Sequence, residues 1–279
     1  MPSIKTLLSE AARSLQGISD SALLDAEILL TQALKTERAY LRTWPDKILS
    51  TEQYQLFLSL LQKRQQGHPI AYITGVREFW SRNFNVTPDV LIPRPETELL
   101  IELSLSLMVA DQPATILDLG TGSGNIAITL AAERPLAQVS ASDISAAALA
   151  VAKKNANHHQ TTNVRFYLSD WLTSIPRETF DFIVSNPPYI AADDPHLQQG
   201  DLRFEPTTAL SALEQGLSAI RQIANTARDY LKTGGYLLIE HGYNQEQAIQ
   251  HIFADFNYRH IHTCPDLSGN PRVTYAQHI

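Results

Sequence analysis

The sequence predicts a mixed α/β protein in which a mostly parallel sheet carries helices on both faces and a small helical bundle precedes the sheet. Two observations indicate this fold class. The first 67 residues contain only helical patterns, and from about residue 115 short apolar strands alternate with helices. Strands separated by helices of this length pair in parallel. A chain of 279 residues corresponds to one or two domains at roughly 150 residues each.

Composition and charge exclude several classes of protein. Hydrophobic residues make up 44% of the chain, enough for a buried core, and no apolar run approaches the roughly 20 residues that span a bilayer. The first residues do not resemble a secretory signal, and the single cysteine, Cys264, cannot form an internal disulfide. We therefore expect a cytoplasmic protein with no membrane partner. The net charge of -7 repels a phosphate backbone, so direct nucleic-acid binding is not expected.

Residues 1–70 are predicted to form a helical domain that contains no catalytic residue. Ser50 and Gln53 form a capping box at the start of its third long helix, and Gly67 marks the end of that helix. Each helix has an apolar face with the spacing of helical turns. The residues on these faces are Ile4, Leu7, Leu8, Ala11 and Leu15, then Leu23, Ala26, Leu30 and Ala33, then Tyr54, Phe57, Leu58 and Leu61.

The middle of the chain changes pattern. Residues 71–92 predict a β-hairpin connector, because three apolar stretches that start at Ile70, Phe79 and Phe84 are separated by turn-forming residues. Residues 93–279 are predicted to form the second domain. Pro95 suits the first position of its first helix.

The second domain is predicted to alternate strands and helices. In order these are a strand at 115–119, a helix from 124, a strand at 137–142, a helix at 146–157, strands at 164–168 and 180–185, a helix at 217–231, a strand at 236–240, and an antiparallel edge hairpin from 260–262 and 272–275. Ligands of open α/β sheets bind outside the carboxyl ends of the strands. The loops after the first four strands are therefore the places to look for a site.

The loop after the first strand is rich in glycine. It reads Asp118-Leu-Gly-Thr-Gly-Ser-Gly124-Asn125, in which the glycines allow a tight turn and the next helix offers unpaired N–H groups. A dinucleotide-binding loop with this spacing needs glycine or alanine at position 125, which is Asn125 here. The loop instead resembles motif I of class I S-adenosylmethionine-dependent methyltransferases, and we favour that interpretation.

The next two loops carry polar and aromatic residues. Asp143 ends the second strand, 19 residues after Gly124, where its carboxylate can accept hydrogen bonds from both hydroxyls of a ribose. Its alternative role is to cap the helix that begins near Ser145. After the third strand, Asp170 can accept from the amine of an adenine while the face of Trp171 packs on the base. For Trp171 a core position is the alternative.

The loop after the fourth strand reads Asn186-Pro187-Pro188-Tyr189. An Asn-Pro dipeptide often marks a simple turn, which is the alternative interpretation. At the end of a buried strand, however, each residue has a chemical use. Asn186 precedes a proline and stays extended, so its amide can project forward. The two prolines stiffen the loop and leave their carbonyls free to accept, and the ring of Tyr189 can cover a planar group.

These acceptors suit a planar NH2 group, such as a carboxamide or an aromatic amine. The Asn186 side-chain oxygen and the Pro187 carbonyl would hold its two hydrogens and direct its nitrogen at a sulfonium methyl group. Catalysis would then be mainly orientation, with nitrogen and methyl carbon about 3 to 3.5 Å apart and no strong general base. Neither a zinc-binding cluster nor a hydrolase motif around Ser123 is present in the sequence, so no metal is expected.

With these motifs the sequence resembles the PrmC/HemK family, the N5-glutamine methyltransferases of class 1 peptide chain release factors. The resemblance covers essentially the whole chain and includes residues 75–80, 92–96 and 194–206. It implies a class I methyltransferase fold with a seven-stranded sheet. It also implies S-adenosyl-L-methionine as cofactor, S-adenosyl-L-homocysteine as product, and the glutamine of the release factor Gly-Gly-Gln motif as substrate.

The resemblance also implies roles for individual residues. The N-terminal helices would dock the release factor, and Phe79, Arg94 and Glu205 would form pocket walls or hold loops. Catalytic roles fall to Asn186, Pro187 and Tyr189, and with Pro188 these residues would bind the substrate. The residues implied to line the cofactor site are Gly120, Thr121, Gly122, Ser123, Gly124, Asp143, Trp171 and Asn186.

Other functions share parts of this pattern. Glutamine methyltransferases of ribosomal proteins carry Asn-Pro-Pro-Tyr, as do adenine-N6 and guanine-N2 methyltransferases that act on nucleic acid. The absence of a Lys/Arg-rich segment argues against nucleic acid as the substrate. A nucleoside-binding module without catalysis is a further alternative, which would use only the glycine loop and Asp143. Nothing in the sequence demands more than a monomer.

Overall fold

The computed structural model describes all 279 residues, which form two compact units. One unit consists of residues 1–76 and 198–204, and the other of residues 77–197 and 205–279. None of the helices combines the length and the hydropathy that crossing a membrane requires.

The first unit is helical. Its fourth helix starts at the predicted capping box, where the Gln53 amide N–H donates to the Ser50 hydroxyl at 3.3 Å and the Ser50 amide N–H donates to Gln53 Oε1 at 3.0 Å. Buried leucine, isoleucine, alanine and phenylalanine side chains from these helices form one apolar core. The helices are α1 (Ile4–Ser14), α2 (Ala22–Leu34), α3 (Arg38–Thr43), α4 (Thr51–Gln65) and α5 (Ile70–Thr74).

Two leucines that the sequence places on the apolar faces are exposed to solvent instead. Leu23 lies in the first turn of α2, ahead of the buried positions, which begin at Asp25. On α4 the buried face includes Phe57 and Arg64, and Leu58 lies about 100° around the helix from Phe57. The predicted faces were therefore too wide, because a helix on the outside of a small bundle buries only a narrow stripe.

The prediction that the connector begins with a strand was wrong, because residues 70–74 form α5. This helix begins after Pro69 and ends at Gly75, which has a φ of 76°. A short apolar run does not by itself distinguish a strand from a helix. The hairpin lies later in the chain and consists of β1 (Val76–Phe79) and β2 (Arg82–Asn85).

The second unit is built on a seven-stranded sheet, which confirms the predicted fold class. Its helices are α6 (Glu98–Leu107), α7 (Asn125–Glu133), α8 (Ala146–His158), α9 (Thr207–Leu210), α10 (Leu213–Gly216), α11 (Ser218–Ala227) and α12 (Glu246–Asp255). Its strands are β3 (Thr115–Leu119), β4 (Gln138–Asp143), β5 (Val164–Leu168), β6 (Phe180–Ser185), β9 (Leu231–Glu240), β10 (Arg259–Pro265) and β11 (Pro271–Gln277), and a separate short pair is formed by β7 (Ile190–Ala191) and β8 (Ser211–Ala212).

The strand order is β10-β11-β9-β6-β3-β4-β5, in which β11 alone runs in the direction opposite to the other six strands. Each face of the sheet has its own apolar core. Ile116 belongs to one core and Leu117 to the other, as expected from the alternation of side chains along a strand. The first core includes side chains of α6 and α7, and the second includes side chains of α11 and α12.

Two boundaries differ from the predictions. Strand β9 begins at Leu231 and not at residue 236, and α11 ends earlier, at Ala227. The predicted strand began only after Gly234 and Gly235, but Gly235 lies within β9, where an added Cβ would be 3.0 Å from the carbonyl oxygen of Phe180. Pro95 starts a 3-10 turn, Pro95–Thr97, that leads into α6.

Candidate active site

The candidate site lies at the carboxyl edge of the parallel strands. Because β3, β4, β6 and β9 run in the same direction, the loops that follow them emerge at one edge of the sheet. A cavity of about 580 Å³ lies here. The predicted site residues that line it are Gly120, Gly122, Asp143, Trp171, Asn186 and Pro188, whereas Thr121, Ser123, Gly124, Pro187 and Tyr189 do not line it.

The glycine loop is held from within by buried side chains. Thr121 donates from its hydroxyl to Asp118 Oδ2 at 2.6 Å. The amide of Asn155 donates to the Ser123 carbonyl at 2.8 Å. Gly124 precedes α7 with a φ of 82°, and an added Cβ would lie 2.7 Å from Ile128 Cδ1. The Ser123 hydroxyl donates to Asn125 Oδ1 at 3.2 Å, so the side chains of Thr121 and Ser123 both serve the loop itself.

Asp143 links the ends of two neighbouring strands. Its Oδ2 accepts from the Gly122 N–H at 2.9 Å, and its Oδ1 accepts from the Ser145 N–H at 2.9 Å. The N-cap of α8 is Ser145, whose hydroxyl accepts from the Ala148 N–H at 3.1 Å. A carboxylate has about four acceptor positions, so two remain for a ligand on the side of Asp143 that lines the cavity.

Trp171 combines the two roles that the sequence left open, a contact with a base and a position in the core. It is half-buried and packs against the core that includes α11 and α12, and it also lines the cavity. Its φ of 48° is unusual for a bulky residue and turns the chain sharply after β5. Gly120 lies directly under the ring, where an added Cβ would be 3.5 Å from Trp171 Cζ3.

The Asn186 amide group is oriented by one hydrogen bond. Its Nδ2 donates to the Thr97 hydroxyl at 3.1 Å, and Thr97 is buried at the end of the 3-10 turn before α6. No group of the chain donates to Asn186 Oδ1 or to the Pro187 carbonyl. Since Asn186 and Pro188 line the cavity, the loop between them offers unused acceptors beside an open space.

Tyr189 is fixed at both its side chain and its backbone. Its hydroxyl donates to Glu240 Oε1 at 3.3 Å, and its carbonyl accepts from Gln245 Nε2 at 3.0 Å. Burial, together with the charge of Glu240, raises the pKa of the Tyr189 hydroxyl well above its ordinary value. Tyr189 therefore stays protonated and serves as a hydrogen-bond donor.

Three buried ionisable groups lie near this edge. Burial raises the pKa of Asp118 to about 7, although the hydrogen bonds from Thr121 and Ala127 lower it. Burial also raises the pKa of Glu240 to about 7, and the Thr97 hydroxyl, the charge of Arg272 and the Tyr189 hydroxyl lower it only in part. For His241, burial lowers the pKa to about 4, so this side chain is neutral.

The three residues expected at pocket walls or loops divide into two groups. Glu205 is fully buried, accepts from the Ile92 N–H at 3.0 Å and forms an ion pair with Arg94 at 2.5 Å. These contacts hold the segment before the 3-10 turn. Phe79 does not form a wall of the cavity, because its ring is buried in the core with Phe84 at a centroid distance of 6.1 Å.

Thr97, Glu240 and Gln245 were missed by the sequence analysis. Glu240 ends β9, which is parallel to β6, so the rule that directs attention to the carboxyl ends of strands applies to it as well. Thr97 could not have been found in this way, since it lies outside the sheet. Only the fold brings it to Asn186, 89 positions later in the chain.

Comparisons with known proteins agree over the whole chain. Residues 6–75 match the family described as the PrmC N-terminal domain, and residues 110–276 match a methyltransferase domain family. The release factor glutamine methyltransferase of Shewanella oneidensis is 46% identical over 274 residues, covering 98% of this chain and 96% of that protein. The protein of the same name from Escherichia coli is 45% identical over 271 residues, covering 97% of each chain.

A further comparison is with a solved structure that shares the fold at low sequence identity. It is the Thermus thermophilus 16S rRNA N2 G1207 methyltransferase in complex with AdoMet and guanosine, with a TM-score of 0.54 and 18% identity. The match covers 73% of this chain and 50% of that one.

Proposed function

Since the chain belongs to the release factor glutamine methyltransferase family, we propose that it methylates the N5 amide nitrogen of the glutamine in the Gly-Gly-Gln motif of class 1 peptide chain release factors. The cofactor is S-adenosyl-L-methionine, and the second product is S-adenosyl-L-homocysteine. One observation carries the proposal for the site. The Asn186 amide nitrogen is bound to Thr97, so its oxygen is left to accept from an NH2 group in the cavity.

The residues around the cavity fit this cofactor, which supplies a methyl group activated by a sulfonium sulfur. Asp143 keeps acceptor positions for the two ribose hydroxyls beside its bonds to Gly122 and Ser145. The face of Trp171 and the exposed carboxylate of Asp170 border the same space and suit an adenine base. The glycine loop from 120 to 124 allows close approach of a ligand to its backbone.

The substrate amide is held by acceptors alone. Asn186 Oδ1 and the Pro187 carbonyl each accept one hydrogen bond from the glutamine NH2 group. These two bonds direct its nitrogen at the methyl group. Tyr189 does not line the cavity, and its side chain supports the loop from behind through the hydroxyl bond to Glu240. A nitrogen held about 3 to 3.5 Å from the methyl carbon, in line with the departing sulfur, needs little more than this orientation. One proton of the glutamine nitrogen leaves as or after the new bond between nitrogen and carbon forms.

The helical unit is the proposed docking surface for the release factor. It contributes no residue to the cavity, and it carries exposed apolar side chains such as Trp44 and Ile48. We also propose a monomer as the active form, because nothing in the sequence demands more. The single cysteine is a free thiol and fits our expectation of a cytoplasmic enzyme.

Transfer of an isotopically labelled methyl group tests the proposed substrate. The enzyme and labelled S-adenosyl-L-methionine are incubated in parallel with an unmethylated release factor, a variant of that factor with alanine in place of the Gly-Gly-Gln glutamine, ribosomal proteins, and adenine-containing RNA. We expect label in the first factor alone. Label in the ribosomal proteins or the RNA, with none in the release factor, would replace our proposal with one of the alternative substrates.

A further inference from the structure

The Gln245 side chain joins two segments at the edge of the candidate site. Its Nε2 donates to the Tyr189 carbonyl at 3.0 Å and to the Gln215 carbonyl at 3.1 Å, while its Oε1 accepts from the Gly242 N–H at 2.9 Å. Tyr189 ends the loop proposed to hold the substrate amide. Gln215 follows residues 206–213, most of which line the cavity and which we call the wall segment. Because the Gln245 side chain is buried, these bonds are shielded from water.

These three partners require a carboxamide and fix its orientation. Two backbone carbonyls can be bound only by the NH2 group, because a carbonyl has no hydrogen to donate. The Gly242 N–H in turn needs an acceptor, which the amide oxygen supplies. A rotated amide would set its oxygen against both carbonyls. A glutamate of the same length would do the same with its carboxylate.

The adjacent helix does not explain the glutamine. Gln245 is the N-cap of α12, a position that favours serine, threonine, aspartate or asparagine, because their short side chains bind N–H groups of the first turn. The Gln245 side chain makes no such bond. It binds instead to carbonyls 30 and 56 positions earlier in the chain. Its hydrogen bonds therefore hold the site and not the helix.

The backbone that follows the wall segment is strained. Glu214, Gln215 and Gly216 have φ values of 54°, 56° and 85°, all in the left-handed region. For the two residues with side chains this conformation is unfavourable, and it persists only where surrounding contacts hold it. The Gln245 bond to the Gln215 carbonyl is such a contact. The pairing of β8 with β7 connects the wall segment to the same loop at a second place.

We propose that Gln245 is a positioning residue, which keeps the acceptors of the loop from Asn186 to Tyr189 where the substrate glutamine needs them. Pro187 and Pro188 have a fixed φ, so a displacement of the Tyr189 carbonyl is passed back to the Pro187 carbonyl and to Asn186. Gln245 does not line the cavity and acts through the loop. The inference rests on the proposed function, since it concerns how the same loop binds a carboxamide.

The test uses full-length Gln245→Met, in which the side chain keeps a similar volume and donates no hydrogen bond. With release factor methylation as the assay, we expect kcat to fall by about 10- to 100-fold. In calorimetry, the number of S-adenosyl-L-methionine sites per chain should stay at the wild-type value and the Kd within about threefold of it. The reason is that the bonds of Gln245 reach none of the residues proposed to bind the cofactor. Misfolding alone would reduce the number of cofactor sites in proportion to kcat.

Gln277→Met is the matched control. Gln277 Nε2 also donates to a backbone carbonyl, that of Gly234 at 2.8 Å, but near the start of β9 and not at its carboxyl end. This variant should keep the wild-type kcat. Gln245→Glu serves if the methionine variant does not fold. It should lower kcat at least as much, because its carboxylate lies against two carbonyls.

A double variant tests whether Gln245 acts through the Tyr189 carbonyl. A Cβ at position 216 would lie 2.0 Å from that carbonyl oxygen and 2.8 Å from Gln245 Nε2. Gly216→Ala therefore disturbs the same contact. Combined with Gln245→Met, it should lower kcat by less than the product of the two separate losses.

The outcomes separate the two proposals. A wild-type enzyme that leaves the release factor unmethylated would overturn the proposed function and this inference with it. With an active wild type, the inference alone is overturned by full kcat in Gln245→Met, by an equal loss in Gln277→Met, by a parallel loss of cofactor sites, or by fully multiplicative losses in the double variant. A fall in kcat with unchanged cofactor binding in Gln245→Met, and an unaffected control, would support it.

Discussion

The carboxyl groups of Asp118 and Glu240 are both completely buried at the end of a parallel strand or close to it. Burial raises the pKa of each to about 7. Strongly shifted pKa values are concentrated at functional sites, and both carboxyl groups contact residues of the candidate site's loops. Asp118 fixes the glycine loop through Thr121, and Glu240 bonds to Tyr189.

The Asp118 carboxyl group should make stability fall as pH rises. Its folded pKa of about 7 lies above the ordinary value of 3.8, so between these values the folded protein holds a proton that the unfolded chain lacks. Stability therefore falls with pH through this window. We expect the wild type to lose about 2 kcal/mol more than Asp118→Asn between about pH 5.5 and about pH 8. Urea denaturation of both cofactor-free proteins measures this, and parallel pH dependences would contradict the assignment.

We expect Asp143 to contact the cofactor and Ser145 to act only as a helix cap. We expect Asp143→Ala to raise the Kd for S-adenosyl-L-methionine by about 10- to 100-fold, because hydrogen bonds to a charged group are lost. Ser145→Ala should instead cost about 1 kcal/mol of stability through loss of the α8 cap, with only a small change in Kd. Calorimetry and thermal unfolding provide the two readouts. Equal effects of both variants on Kd would show that Asp143 acts only through the helix.

For individual residues, the sequence identified those in the loops but not the contacts that orient their side chains. Asn186 could be found because Asn-Pro-Pro-Tyr ends a buried apolar strand. The direction of its amide depends on Thr97, which is distant in sequence and lies on no strand. A contact of this kind is set by the packing of α6 and its preceding turn against the sheet, and no local pattern encodes it.

Among the elements, the short segment from α9 to α10 supports the catalytic loop from outside. Strand β8 pairs with β7, which directly follows Tyr189. Gly216, at the end of α10, has a φ of 85°, and an added Cβ would lie 2.0 Å from the Tyr189 carbonyl oxygen. No side chain of any size fits there while the loop keeps its position.

Gly216→Ala should therefore displace the loop and lower kcat by at least about tenfold. Gly269→Ala is the matched control, because Gly269 has a φ of 83° in the turn between β10 and β11 and nothing lies within 4 Å of an added Cβ. Both variants carry similar backbone strain of about 1 kcal/mol. Steady-state kinetics and thermal unfolding distinguish the steric effect from the strain. Equal kcat values for the two variants would contradict the close contact.

The elements that the sequence predicted well are those with a long, regular pattern. The strands that became β3, β4, β5 and β6 were predicted close to their observed bounds, because continuous apolar runs between turns are typical of a buried parallel sheet. The errors fall on short or glycine-containing stretches. Residues 70–74 are too few to show a period, and the strand that became β9 was predicted to begin only after its two glycines.

For the whole molecule, the helical unit depends on a charged cluster in its interior. Arg64 and Asp25 are both buried, and Arg64 Nε donates to Asp25 Oδ2 at 2.7 Å. Arg64 Nη1 also donates to Asp201 Oδ1 at 3.0 Å. Residues 198–204 belong to this unit although they follow the catalytic loop in the chain. The sequence analysis assigned only residues 1–70 to the helical domain, because no periodic pattern marks an excursion of seven residues.

The two ion pairs of Arg64 should differ greatly in energy. Arg64→Met leaves the buried Asp25 carboxylate without an ion-pair partner and with only the Ser21 hydroxyl donating to it, which should cost the helical unit about 3 to 5 kcal/mol. Asp201 is half-exposed, so Asp201→Asn should cost less than about 1 kcal/mol. Urea unfolding followed by far-ultraviolet circular dichroism provides the comparison. A cost for Asp201→Asn as large as that for Arg64→Met would mean that the exposed pair carries the stability.

The proposed reaction is tested most directly by mass spectrometry of an unmethylated release factor after incubation with S-adenosyl-L-methionine and either the wild-type enzyme or Asn186→Ala. Cofactor binding by the variant is measured alongside. We predict a mass gain of one methyl group with the wild type, located on the glutamine of the Gly-Gly-Gln motif, and no gain with the variant even when its cofactor site is saturated. A methyl group on any other residue would contradict the proposed substrate, and an Asn186→Ala variant that methylates the glutamine at the wild-type rate would contradict the proposed role of Asn186.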